Sequence, residues 1–108
     1  GAVLHFEFNR ADLTPESSQR LTRVAEALRA HPAARVRVAG HCDERGTQEY
    51  NLALGHQRAE AARGYLVALG IEAARIETVS YGAESPVERG HDQQAWARNR
   101  RDELIRLR

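Results

Sequence analysis

The sequence lacks several features that would point directly to a class of protein. Its 108 residues include a single cysteine, Cys42, one tryptophan, no methionine and no lysine. One cysteine cannot form an internal disulfide, so the cysteine count leaves the redox compartment open. No apolar run approaches the roughly 20 residues that a bilayer-spanning helix requires. With 42% hydrophobic and 29% charged residues, the composition is that of one small globular domain, not of a disordered acidic chain or a membrane-embedded one.

The charges nearly balance, which bears on nucleic acid as a partner. All 16 basic residues are arginines, and they stand against 15 acidic residues. Toward the C-terminus, residues 89–108 hold six arginines and three acidic side chains. That excess is much smaller than the strongly basic patch that nucleic-acid-binding domains usually carry. We therefore expect no nucleic-acid partner.

Hydrophobic periodicity predicts four strands and three helices. Apolar residues alternate in the predicted strands and recur every three to four residues in the two long helices. Thr14 and Pro15 mark the start of the first helix, and Gly70 marks the end of the second. Strands are predicted over residues 3–8, 35–39, 75–81 and 101–107, and helices over residues 15–31, 48–69 and 93–96.

This order of elements, βαβαβ(α)β, predicts an α/β (α+β) fold. Helices are expected to cover one face of a mixed four-stranded sheet, which makes a two-layer sandwich. No repeat, linker or low-complexity segment divides the chain, so residues 1–108 are expected to form one domain. Gly1, which stands alone ahead of the first strand, is interpreted as a residue left from recombinant expression.

The consecutive residues His41, Cys42 and Asp43 suggest a metal site or a nucleophile at first sight. Adjacent residues of an extended segment point to opposite faces, so the three cannot converge on one ion without a tight turn. The sequence has no HxxxH, CxxC or HExxH spacing, no GxSxG elbow and no glycine-rich phosphate loop. A catalytic base is normally brought to its cysteine from elsewhere in the fold. We predict no metal, no cofactor, no catalytic residue and no enzymatic activity.

Asp43 and Arg58 are the remaining candidates for a binding site. Asp43 follows a predicted strand, and Arg58 lies in the next helix, two helical turns after Asn51 and on the same face. Helical side chains lean toward the helix N-terminus, which brings Arg58 toward the loop that holds Asp43. Such a pair can hold a zwitterion, since the carboxylate accepts from an ammonium and the guanidinium grips a carboxylate with two parallel bonds. An ordinary salt bridge between the two explains the same spacing.

The loop and helix around these two residues resemble a known family. Residues 40–66, GHCDERGTQEYNLALGHQRAEAARGYL, resemble the OmpA C-terminal-like family, whose pattern is approximately GHxDxxGxxxxNxxLxxxRAxxV. The opening VLHFEFNRADLTPE (3–16) also resembles the first strand and helix entry of that family. The features that resemble its peptidoglycan-associated lipoprotein branch are ERGT (44–47), EYN (49–51), Gly55, VSYG (79–82), GHD (90–92) and NRR (99–101). The resemblance covers almost the whole chain. Three positions depart from the branch: Asn9 stands where Asp is usual, Cys42 where Ala or Thr is usual, and Gln48 where Pro is common.

The resemblance implies a ligand and a set of site residues. It implies an α/β sandwich that binds the peptide stem of peptidoglycan without covalent chemistry by gripping meso-diaminopimelate. The aspartate and the arginine of the family pattern fall on Asp43 and Arg58. Supporting pocket positions fall on Phe8, Asn9, Arg45, Thr47, Asn51, Leu54 and Arg100.

The resemblance also implies a cellular context. It points to the periplasm of a Gram-negative bacterium, where the domain tethers the outer membrane to the cell wall through a lipid anchor on an upstream segment absent from this chain. The implied protein partner is a TolB-like protein of the Tol-Pal system. Two alternatives stay open: another OmpA-type wall anchor (a porin tail, a stator or a secretion module), or a protein-interaction domain whose wall pocket has decayed.

Six side chains near the predicted site carry individual expectations. Phe8 lies on the apolar face of its strand and is expected in the core. Trp96 is also expected to pack in the core, and not to serve as a stacking platform for a sugar. Arg45 is expected to pair with a neighbouring glutamate in solvent. Asn51 is expected to fix the loop by bonding to its backbone. One of the two arginines of NRR is expected to brace the site, and the other to meet solvent.

Overall fold

Four strands and three α-helices form in the predicted order. The computed structural model describes residues 2–107, so the interpretation of Gly1 and the last residue of the proposed domain lie outside the described residues. The elements are β1 (Ala2–His5), α1 (Pro15–Ala30), β2 (Val36–His41), α2 (Gln48–Ala68), a 3-10 turn (Ala73–Arg75), β3 (Ile76–Gly82), α3 (Gln93–Asn99) and β4 (Arg101–Arg106).

The strands form one mixed sheet in the order β1-β4-β2-β3. β2 and β3 are parallel and are joined by α2, whereas β4 runs antiparallel to both of its neighbours. Leu4, Val38 and Leu104 point from the sheet into a core that is shared with both long helices. This arrangement confirms the predicted two-layer fold and places the ends of β2 and β3 beside the start of α2.

A contact between two glycines brings α2 against β2. A Cβ atom on Gly40 would lie 1.8 Å from the carbonyl oxygen of Gly55, so neither side chain nor water separates strand and helix there. Arg58 follows Gly55 by three residues on α2 and is therefore carried to the end of β2. The contact between the two glycines thus sets how close Arg58 lies to the end of β2.

The first strand is shorter than predicted. It ends at His5, and a turn closed by a bond from the Arg10 N–H to the Glu7 carbonyl follows it. Asn9 has a φ of 59° in this turn, a left-handed conformation that Asn adopts more readily than most residues. The turn moves Phe8 out of the strand, so the predicted extension of β1 to residue 8 was wrong.

Other boundaries differ by a few residues. β2 continues to His41 because Gly40 and His41 pair with β4, and α3 extends to Asn99. The short 3-10 turn before β3 was not predicted. Arg75 stabilises that turn by donating to backbone carbonyls of Leu28, His31 and Ala34.

Candidate functional site

Asp43 lies just beyond the end of β2 and is nearly inaccessible to solvent. Only 4% of the residue is exposed. Its Oδ1 accepts bonds from the backbone N–H of Arg45 at 3.0 Å and from the Arg45 Nε at 3.1 Å. Its Oδ2 accepts from the second arm of the same guanidinium at 2.9 Å. The carboxylate is therefore gripped by two parallel bonds, but from Arg45 and not from Arg58.

Burial alone would raise the pKa of Asp43, since it removes water from the charged form. The hydrogen bonds and charge of Arg45, with a further contribution from Arg100, outweigh that effect and lower the pKa below its usual value. A terminal nitrogen of Arg100 lies 3.5 Å from Oδ2. Asp43 is consequently a stable anion at neutral pH.

Arg58 is buried completely and holds together three segments of the chain. Its guanidinium donates to the backbone carbonyls of Arg10 at 2.8 Å, His41 at 2.9 Å and Glu7 at 3.0 Å. A guanidinium has five N–H bonds; three of these bind backbone carbonyls, and the Cys42 side chain takes a further hydrogen bond from Arg58. The structure contains no hydrogen bond or ion pair between Asp43 and Arg58 within this range, which removes the ordinary salt bridge as the explanation of their spacing.

Most of the predicted site residues nevertheless line one small cavity. The cavity measures about 10 Å³, room for roughly one water molecule. Its walls are Phe8, Asn9, Cys42, Asp43, Arg45, Asn51, Leu54 and Arg58. Thr47 lies outside these walls and caps α2, because its Oγ1 accepts from the Tyr50 N–H at 3.1 Å. Arg100 also lies outside them and donates to the Phe6 carbonyl at 2.8 Å.

Two aromatic rings, those of Phe8 and Trp96, enclose the guanidinium of Arg45. Both residues were predicted to lie in the core, and both predictions were wrong. The Cζ of Arg45 lies 3.8 Å from the centroid of Phe8 and 4.1 Å from the ring of Trp96. Phe8 is 46% exposed, so it is not in the core, because the turn at Asn9 redirects it. Trp96 is half-buried, and its Nε1 donates to Glu44 at 2.8 Å.

The prediction that Arg45 pairs with a glutamate in solvent was wrong as well, since its partner is the buried Asp43. Sequence reasoning missed the contributions of Glu44 and Trp96 to this site. The sequence shows that α3 follows the GHD segment. It does not show that α3 packs beside the loop after β2, which is the contact that brings Trp96 to the site.

Asparagines fix the backbone around the cavity. The side-chain amide of Asn51 donates to the Arg45 carbonyl at 3.1 Å, which confirms its predicted role in holding the loop. The amide oxygen of Asn9 accepts from the Tyr50 hydroxyl at 3.1 Å. The Asn9 side chain is a neutral amide, whereas an aspartate at this position would place a second negative charge near Asp43.

Cys42 and His41 do not form a reactive pair. The thiol of Cys42 is buried and lies 3.2 Å from the Asn51 carbonyl, to which it donates. Burial raises the pKa of this thiol and so disfavours the thiolate that nucleophilic chemistry requires. The His41 ring instead stacks on Tyr81, with 5.3 Å between centroids. Within residues 2–107, His, Cys, Asp and Glu side chains form no group of three or more that could hold a metal.

The site can therefore recognise charge. It offers one buried carboxylate for a cationic group. It also offers the guanidinium of Arg58 and, on Arg100, a buried terminal nitrogen that has no hydrogen-bond partner and lies 3.5 Å from Oδ2 of Asp43. These donors suit a carboxylate placed next to the cationic group.

Comparison with known proteins places this arrangement in a family. A model of the OmpA family matches residues 5–100. The peptidoglycan-associated lipoprotein of Pseudomonas aeruginosa is 51% identical over 102 residues, which cover 94% of this chain and 60% of that protein. The chain thus spans about 60% of the length of this curated relative. No helix between residues 2 and 107 has the length and apolar character to cross a bilayer.

Solved structures agree with this relationship. The crystal structure of the peptidoglycan-associated lipoprotein from Burkholderia pseudomallei superposes with a TM-score of 0.96 at 42% identity, and the match covers 99% of this chain and 91% of that one. The cell wall anchor of the T6SS from Pseudomonas aeruginosa matches with a TM-score of 0.79 at 30% identity over 94% of this chain and 76% of that one. The family match extends over nearly the whole chain, and the chain belongs to the OmpA family.

Proposed function

We propose that residues 1–108 form a domain that binds the peptide stem of peptidoglycan non-covalently through meso-diaminopimelate. The buried carboxylate of Asp43, on the wall of a cavity that it shares with Arg58, is the observation that carries the proposal. The names of the relatives, peptidoglycan-associated lipoprotein and cell wall anchor, support peptidoglycan as the polymer that is bound.

The chemistry of the ligand matches the charges of the site. Diaminopimelate carries a free ammonium and a free carboxylate on one carbon. The ammonium donates to Asp43, and the carboxylate accepts from the Arg58 guanidinium through an N–H other than the three that bind backbone carbonyls, with Arg100 as a further donor. Charge-assisted hydrogen bonds in a site shielded from water are stronger than those between neutral groups. No bond of the ligand is broken in this scheme, so the domain acts as an anchor and not as an enzyme.

The cellular setting follows from the relatives and is part of the proposal. The domain lies in the periplasm and connects the cell wall to the outer membrane, through a lipid carried on a segment outside the chain described here. Its protein partner is a TolB-like protein. The 30% identity to a T6SS wall anchor favours one alternative, a wall anchor that serves a secretion apparatus, with the same ligand and a different partner.

Isothermal titration with a soluble muropeptide that contains diaminopimelate tests the proposal. Asp43→Asn keeps the shape of the side chain and removes its charge, so we expect an affinity at least 30-fold weaker, a loss of roughly 2 kcal/mol or more. Asp12→Asn, at an exposed position, is the matched control and should bind like wild type. Equal affinities of wild type and Asp43→Asn would exclude Asp43 as the group that binds the ammonium.

A further inference from the structure

The cation-binding position of Asp43 is already occupied by a side chain of the same protein. Arg45 reaches both carboxylate oxygens, at 3.1 Å from Nε to Oδ1 and 2.9 Å from its terminal nitrogen to Oδ2. This is the arrangement that an external cationic group would otherwise take. The backbone N–H of Arg45 binds Oδ1 independently of the side chain.

The remaining space is too small for the ligand. A cavity of about 10 Å³ holds one water molecule at most, whereas an ammonium and a carboxylate on one carbon occupy several times that volume. Asp43, Asn51 and Arg58 are buried, so they do not open a path from solvent. The side chain of Arg45 is 29% exposed and Phe8 is 46% exposed, and together with the exposed Asn9 they form the solvent-facing wall.

We propose that Arg45 is an intramolecular competitor for the ligand's cationic group and thereby sets the affinity and the selectivity of the site. This inference rests on the proposed function. The guanidinium must leave Asp43 before an ammonium can bind, while the backbone N–H of Arg45 stays in place to orient the carboxylate. Only a ligand that replaces the lost ion pair displaces Arg45, so neutral or anionic groups are rejected.

The aromatic rings of Phe8 and Trp96 stabilise the Arg45 side chain in its position on Asp43. Stacking of the guanidinium between Phe8 and Trp96 adds cation–π attraction to the ion pair and holds the side chain over Asp43 in one orientation. A site closed for nine-tenths of the time binds its ligand tenfold more weakly than the open site does, because only the open fraction is competent. Removal of the side chain should therefore strengthen binding.

Arg45→Ala tests this inference in the same titration with the diaminopimelate-containing muropeptide. We expect about fivefold or greater tightening relative to wild type. Arg45→Lys keeps the positive charge but loses the two parallel N–H donors and the planar surface that stacks on the rings. It should therefore increase the muropeptide affinity less than Arg45→Ala does. Arg23→Ala, which removes one arginine from the exposed face of α1, controls for net charge and should leave the affinity unchanged.

Fluorescence provides a second measurement. Trp96 is the only tryptophan, and its ring loses the Arg45 guanidinium when the ligand binds. The emission spectrum of ligand-free Arg45→Ala should therefore resemble that of ligand-bound wild type. Identical ligand-free spectra for Arg45→Ala and wild type would contradict the closed site.

The outcomes separate the two proposals. Unchanged or weaker binding by Arg45→Ala, with wild type binding normally, would overturn the competitor role and leave the proposed function standing. Weaker binding would show instead that Arg45 contacts the ligand. Absence of binding by wild type and by every Arg45 variant would reject the proposed function and, with it, this inference.

Discussion

Asp102 should make the stability of this protein fall as the pH rises through neutrality. Its side chain is fully buried on β4, and neither carboxylate oxygen has a hydrogen-bond partner among the described residues. Burial raises the pKa of Asp102 to about 8, although the charge of Arg58 acts in the opposite direction. The folded protein therefore holds a proton near pH 7 that the unfolded chain releases.

The sign and size of the effect follow from this difference in bound protons. An aspartate whose folded pKa lies above its unfolded value of 3.8 destabilises the fold increasingly as the pH rises from about 4, and the effect levels off above about 8. One proton contributes a slope of at most about 1.4 kcal/mol per pH unit. Between pH 6 and pH 8 the fold should accordingly lose on the order of 2 kcal/mol through this one group.

Urea denaturation of wild type and Asp102→Asn across pH 6–9 measures the effect. The difference in unfolding free energy between the two proteins should grow with pH, in favour of the variant, because the amide cannot ionise. Asp12→Asn, which removes an exposed carboxylate, is the control for the loss of one negative charge. The comparison with wild type also removes the contribution of His41, whose pKa is lowered to about 4 by burial and by Arg101. A constant difference between Asp102→Asn and wild type would refute the reasoning.

Three further substitutions have defined outcomes. Cys42→Ala should change muropeptide affinity by no more than about threefold, roughly 0.6 kcal/mol, in the same titration. Gly40→Ala should lower the melting temperature strongly, because its Cβ would lie 1.8 Å from the Gly55 carbonyl oxygen and must push α2 off the sheet. Arg58→Lys should lower both the melting temperature and the affinity, at a cost of about 2–4 kcal/mol in unfolding free energy, since lysine cannot reach three separate carbonyls.

The overall fold could be predicted because local signals and the core pattern agree. Thr14 with Pro15 starts α1 as predicted, and Asp92 caps α3; the side chain of each cap residue accepts a bond from a backbone N–H of its helix. Alternation at Val36 and Val38 indicates the inward face of β2. These signals act over a few residues, so one sequence suffices to recognise them.

The interior of the site could not be predicted because its contacts join residues that are far apart in the chain. Arg58 bonds to carbonyls 48 and 51 residues away, and spacing along a helix indicates only its direction. The left-handed turn at Asn9 decides that Phe8 leaves the core, and no hydrophobic pattern reports a single φ angle. The position of α3, and hence the stacking of Trp96 on Arg45, depends on tertiary packing alone.

Arg58 illustrates how the structure changes the interpretation of a predicted residue. It was expected to bind the carboxylate of the ligand. The structure gives it a second role, because its hydrogen bonds hold the loop between β1 and α1 against the end of β2. Substitution of Arg58 should therefore weaken the fold and, under the proposed function, the binding as well. Asp43 accepts bonds mainly from the partly exposed Arg45, so its substitution separates binding from stability.

The preference of wild type for one stem peptide over another tests the central claim most directly. Muropeptides that carry lysine in place of diaminopimelate keep the chain length and lose the carboxylate next to the terminal ammonium. Titration of wild type with both muropeptides should show binding to the diaminopimelate form that is at least 30-fold tighter, a difference of roughly 2 kcal/mol. Equal affinity for the two forms would contradict a zwitterion site built from Asp43 and Arg58.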